Sequence, residues 1–176
     1  MTGDFLLVAG DTLSIFVGGQ GATASFTSNP GDGGDGSYVS LYNNPLVVAG
    51  GGGGSVYWNQ YIMGIDADTA ECGTFGSSQQ GNPGCSGNNG SGSSFAYPGN
   101  GWLGSPSCVG GTTFVYNSNG GAGAGGGGYS GGAPGSGGWG SGGGGGSYNI
   151  GNNQISISGV QSGNGLVLVS YNLSVP

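Results

Sequence analysis

Residues 120–146 read GGAGAGGGGYSGGAPGSGGWGSGGGGG, a run of 27 residues of which 18 are glycine. Extended as a polyproline-II-type helix at ~3.1 Å per residue, the run would measure about 84 Å. A compact chain of 176 residues has a radius of gyration near ~16 Å, hence a diameter of roughly 40 Å. The run must therefore fold back on itself, and Tyr129-Ser130, Ala133-Pro134 and Trp139 mark the expected turns. Three residues per turn sort it into three faces. The registers beginning at 120 and at 122 each hold 7 glycines in nine positions, and the register beginning at 121 holds only 4. That third face carries Ala124, Ser130, Ala133, Ser136 and Trp139. Two bare faces and one decorated face suit an extended helix packed closely on its neighbours. Glycine in regular structure is worse than alanine by ~0.5–1 kcal/mol. Close backbone approach, with hydrogen bonds between helices and weak Cα–H···O contacts, is the expected compensation, and subunit association adds to it.

Outside this run the chain reads as short strands. No window shows an apolar period of 3.6 free of glycine, so helices are not expected. Alternation and β-branched content place strands at residues 5–8 and 12–17, joined by Ala9-Gly10-Asp11 as a hairpin. Further strands are expected at residues 22–26, 37–42 and 46–49, with Asn43-Asn44-Pro45 between the last two. Residues 154–157 and 166–171 form another expected pair, with Asn164-Gly165 as the hairpin signal. The reading is a single all-β domain over residues 1–176, with residues 57–111 as a long inserted loop region.

Composition excludes several functions. The chain has no Lys, Arg or His and seven acids, for a net charge of −7. Without cations it cannot neutralise phosphates, so nucleic-acid binding is not expected, and anionic lipid surfaces repel it. No histidine means no usual proton shuttle and none of the commonest metal ligand. No lysine means no Schiff base. The expectation is a protein that is not an enzyme and needs no cofactor. Met1-Thr2-Gly3-Asp4 lacks the positive region of a secretory signal, and the longest apolar run, residues 5–9, is far short of the ~20 residues of a membrane span. Membrane insertion is not expected.

The order of signatures carries a resemblance. Ala9-Gly10-Asp11-Thr12-Leu13-Ser14-Ile15-Phe16-Val17-Gly18-Gly19-Gln20-Gly21 comes first, then Ser37-Tyr38-Val39. Pro45-Leu46-Val47-Val48-Ala49 leads into glycines 50–54. Glycines 125–128 follow, then glycines 142–146 with Ser147-Tyr148-Asn149, and last Gly163-Asn164-Gly165-Leu166-Val167-Leu168-Val169. This order resembles the glycine-rich domain of the anaplastic lymphoma kinase and leukocyte tyrosine kinase receptors, and related glycine-rich modules of microbial surface proteins. The likeness covers residues 5–56 and 112–171. It implies a jelly-roll-like β-sandwich fused to packed polyglycine-II helices, an extracellular setting, ligand binding and no catalysis. Residues 57–111 match nothing in it. The family has strands before the position of Phe5, so the reading expects an uncovered sheet edge that another subunit fills by strand addition.

Candidate functional residues follow. Asp66, Asp68 and Glu71 put three carboxylates in six residues, which allows a weak calcium site or a solvated acidic turn. Tyr57, Trp58 and Tyr61 form an aromatic cluster suited to subunit contact or to sugar stacking, and Trp102 and Trp139 invite the same reading. Leu166, Val167, Leu168 and Val169 are the expected donor to the uncovered edge. Three cysteines allow one disulfide with an odd thiol, or three free thiols. Cys72–Cys85 closes the shortest loop and is the expected pair. Asn89 and Asn172 head N-glycosylation tripeptides. Together these describe a structural subunit of an extracellular, virion-surface or cell-surface filament whose partner is a second copy of itself. The alternatives are a glycan- or receptor-binding adhesin, such as a phage fibre tip, and a ligand-binding ectodomain fragment.

Overall fold

The computed structural model describes residues 1–24, 30–58, 60–79, 81–91, 96–103, 108–112, 122–136 and 139–172. Eight strands lie among them: β1 Thr2–Asp4, β2 Leu13–Phe16, β3 Ser37–Leu41, β4 Asn44–Ala49, β5 Val56–Trp58, β6 Gln60–Ile62, β7 Tyr148–Asn149 and β8 Asn152–Ile155. The described residues contain no helix, and the fold is all-β. Strands β2-β3-β4-β7 form one antiparallel sheet, while β1-β8 and β5-β6 are two-stranded ribbons. Tyr42 (φ 49°) and Asn43 (φ 62°) turn the chain between β3 and β4. Two consecutive left-handed residues are what a tight two-residue hairpin requires. Across β2 and β3, Phe16 faces Tyr38 and their rings stack with centroids 5.4 Å apart.

Two expected hairpins do not form. Residues 5–8 lie outside any strand, and β2 pairs with β3 instead of with them. Asp11 closes the local turn, its N–H donating to Val8 O and its Oδ2 accepting from Val8 N–H. A turn fixes only its own residues, and the aromatic and β-branched partners offered by β3 decide the pairing of β2. At the other end β8 pairs with β1, and residues 166–171 form no strand. The Asn164-Gly165 signal is spent elsewhere: Asn164 Oδ1 accepts from Gln20 N–H and Gly165 N–H donates to Gly18 O. Of the expected strand at 22–26, residues 22–24 are not in a strand, and residues 25 and 26 lie outside the described residues.

The glycine run is the core. Residues 122–128, 130–136 and 140–147 are buried throughout. Their backbone hydrogen bonds turn by one direction per residue and repeat every three. Gly123, Gly126 and Tyr129 donate to the carbonyls of Gly140, Gly143 and Gly146. Ala124 and Gly127 donate to Gly31 and Gly34, and Gly125 and Gly128 to Tyr97 and Asn100, all at 2.9–3.2 Å. The carbonyls of the same pass accept from Gly135 and Gly132, from Gly54 and Gly51, and from Gly111, at 2.7–2.8 Å. Residues 122–128 are thus ringed by six extended neighbours, three that they donate to and three that donate to them. Because these extended passes bond to other segments and not within themselves, every buried N–H and C=O must be satisfied by a neighbour.

The chain reverses at Tyr129-Ser130, and 140–147 runs back alongside 130–136. Ala133-Pro134 is not a turn: Ala133 N–H donates to Thr74 O within a straight pass, and Pro134 is fully buried there. Proline fits because its fixed φ suits an extended backbone and only one donor is lost. The largest fully buried side chains are Val48, Val56, Pro134, Cys108 and three serines, so little of the interior is side chain. Backbone fills the space that side chains fill elsewhere.

A Cβ on Gly126 would overlap Gly51 O, whereas one on Gly34 would meet nothing nearer than Gly52 N at 3.6 Å. Thermal melts should show Gly126→Ala destabilised by at least ~1–3 kcal/mol through overpacking. Gly34→Ala should be neutral or stabilised by ~0.4–1 kcal/mol through the unfolded chain. Ser141 Oγ is buried without a partner, and Ser141→Ala should cost no stability in the same melts.

Candidate functional site

Two features stand outside the glycine core. The first is an apolar surface along the two terminal segments, which β1-β8 pairing and the Gly165–Gly18 hydrogen bond hold together. Leu6 is 95 %, Leu168 86 % and Tyr171 81 % exposed, and Val8, Ile155, Ile157, Val160, Leu166 and Val169 are exposed with them. Val167 is half-buried. Residues 5–8 were expected inside a sandwich. Leu6, Leu7 and Val8 face solvent because no described strand covers them, and Phe5 is half-buried.

The second feature is a groove of about 460 Å³ whose floor is made by Gly19, Gly34 and Gly52. The segment 157–166 is an arch tied down near both ends, and most of its residues line the groove. Ser158 Oγ donates to Ala67 O at one foot of the arch, and Asn164 and Gly165 bond Gln20 and Gly18 at the other. Tyr61, Asp32, Asp35, Asp66 and Asp68 line the same space. Sequence patterning did not reveal the groove, because its floor consists of glycines indistinguishable in a sequence from those packed in the core.

The remaining sequence candidates are dispersed. Trp102 lies against Tyr38, edge to face with ring centroids 4.9 Å apart, and its backbone N–H donates to Tyr129 O. It joins the glycine array to the sheet. Trp139 is half exposed. Tyr57 and Tyr61 face each other across β5 and β6, and Trp58 lies in β5. Cys72 and Cys85 are joined in a disulfide with Cα atoms 4.1 Å apart. Asn89 is exposed and its Oδ1 accepts from Gly101 N–H at 2.8 Å. Asn172 is exposed, but residues 173 and 174 of its tripeptide lie outside the described residues. Among the described residues no three His, Cys, Asp or Glu side chains gather into a metal-ligating group, Asp66, Asp68 and Glu71 included. Asp68 Oδ1 instead accepts from Ala70 N–H in a local turn.

Cys108 is fully buried and carries the free thiol. Burial, reinforced by the negative charge of Asp35, pushes its pKa up from 9.0 to about 12. Burial likewise raises Tyr38 and Tyr129, the latter also through Glu71 and Tyr148. The Asp35 carboxylate is itself held, Oδ1 accepting from Gly110 N–H and Oδ2 from Gly19 N–H. Buried thiols of raised pKa are poor nucleophiles. Comparison with family models, curated proteins and solved structures returns no match.

Iodoacetamide at pH 8 should leave the native, unreduced protein unlabelled and add one group on denaturation, as read by intact mass. The folded thiol keeps its proton to about 12 while the unfolded thiol loses it near 9.0. The unfolded state therefore binds fewer protons over that interval, and stability should fall as pH rises through it. Denaturant melts of wild type and Cys108→Ser across this range should show the slope reduced in the variant.

Proposed function

We propose that the chain is a non-enzymatic structural subunit of an extracellular or surface assembly, built by association of identical copies. The observation that carries this reading is the apolar terminal surface, where Leu6, Val8, Ile155, Leu168 and Tyr171 lie exposed beside a core closed by its own backbone. Exposed large apolar side chains concentrated in the terminal segments of a folded domain mark a candidate interaction site. Like charge opposes self-association at a net charge of −7. Screening beyond ~8 Å at physiological salt makes that repulsion weaker than apolar burial. The Cys72–Cys85 disulfide suits an oxidising compartment. A chain without Lys or Arg offers trypsin no cleavage site. We read the period-three glycine array as a polyglycine-II bundle, with the terminal strands as the part of a jelly-roll-like sandwich that a second subunit completes.

A glycan-binding adhesin is the second reading, favoured by Tyr61 on the wall of the groove. Stacking on a sugar ring is what an exposed aromatic offers there.

Sedimentation and electron microscopy of full-length protein at physiological salt should show oligomers or polymers. Removing residues 166–176, or substituting Leu6→Glu with Leu168→Glu, should shift the protein to monomer. The double variant should keep its melting temperature, since both side chains are already exposed. A wild-type monomer at high concentration overturns this reading, and binding of that monomer to a glycan array establishes the second.

A further inference from the structure

The passes of the glycine core donate in three directions, and one of those directions opens onto the groove. Within residues 50–54, Gly51 and Gly54 donate to the 122–128 pass, and Gly53 donates to Ile65 O. Gly50 N–H is taken by Ser147 Oγ. The third direction belongs to Gly52. Its carbonyl accepts from Gly34, but its N–H donates to none of the described residues, and Gly52 is exposed on the groove floor.

The floor glycines also differ from those of the core. In the core an added Cβ overlaps a neighbouring backbone, as at Gly126 or Gly142. At Gly52 it would meet nothing nearer than Ile65 O at 3.8 Å, at Gly34 nothing nearer than 3.6 Å, and at Gly19 only the Asp35 carboxylate at 3.3 Å. Internal packing therefore does not explain why these three positions lack side chains. They present bare backbone, with an unpaired donor, to a cavity of about 460 Å³.

We propose that this groove binds an extended, glycine-rich peptide strand of positive charge, which takes the unoccupied lattice position beside residues 50–54. The arch of residues 157–166 is bonded at both feet, and the strand threads along it with small side chains. Hydrogen bonds from floor to strand then continue the period of three, with Gly52 N–H as donor. Asp32, Asp35, Asp66 and Asp68 line the groove in a chain without a single Lys or Arg. Their carboxylates select cationic side chains on the strand, and in a threefold helix a lysine at every third position lines up on one face. The site lies within one subunit and stands independently of self-assembly.

The test titrates isotope-labelled protein with a capped oligoglycine peptide carrying lysine at every third position, reading the Gly52 amide by NMR. The Gly52 amide should shift progressively. Gly52→Val, whose Cβ meets nothing nearer than Ile65 O at 3.8 Å, should weaken binding at least tenfold at an unchanged melting temperature. Asp66→Asn with Asp68→Asn, both exposed, should weaken it at least threefold, and this pair serves if the valine variant does not fold. The same peptide with glutamate in place of lysine should not bind. A Gly52 amide unmoved by the lysine peptide overturns the proposal, as does full binding by the variants. Soluble β-linked oligosaccharides that shift Gly52 where the peptide does not also overturn it, and assign the groove to a glycan.

Discussion

The structure depends on one interaction repeated many times, the N–H···O=C hydrogen bond between neighbouring extended passes. Its direction advances by a third of a turn at each residue, so residues 122–128 can be satisfied only by neighbours on all sides. Those neighbours approach as closely as hydrogen-bonded backbones do, which leaves no room for a Cβ at glycines such as Gly123, Gly126 and Gly127, while the small side chains of Ala124 and Ala133 are buried in the array. Glycine content, burial and fold are one fact seen at three levels. A net contribution of ~0.5–1.5 kcal/mol per hydrogen bond is modest. Leaving a buried donor unpaired costs ~1–3 kcal/mol, so the array is cooperative: removing one pass would orphan groups on several others.

Seen this way, the small sheet and the aromatic contacts serve as fastenings. Tyr38 stacks on Phe16 and meets Trp102 edge to face, which ties β2 and β3 to the end of the glycine array. Tyr129 stacks on Tyr148 with ring centroids 4.3 Å apart, holding the first reversal against β7. The Cys72–Cys85 disulfide closes a loop whose residues bond both Gly131 and Gly144. Large side chains thus sit around the array, where a conventional domain would place them inside.

How much of this a sequence discloses depends on which force decides each feature. The all-β class was legible because alternation at residues 37–41 and 46–49 leaves no helical period. The folding back of residues 120–146 was legible because their extended length exceeds any compact diameter. Strand pairing was not. Apolar content nominated 5–8 and 166–171, yet pairing depends on which partner supplies complementary residues, and β3 and β1 supplied them to β2 and β8. Pro134 misled for a different reason: proline usually marks a turn, but its φ also suits an extended pass. The groove was invisible because Gly52 and Gly126 are the same letter, and only the space around each tells them apart.

Backbone amide hydrogen exchange tests most directly whether the glycine array is the core. The amides of Gly125, Gly126, Gly127 and Gly128, bonded in rotation to three neighbouring passes, should exchange only through global unfolding, and at least as slowly as those of Val39 and Val48 in β3 and β4. Gly52, on the groove floor, should exchange quickly. Rapid exchange across residues 122–128 while β3 and β4 stay protected would mean that the sheet holds the fold and that the glycine passes merely rest upon it.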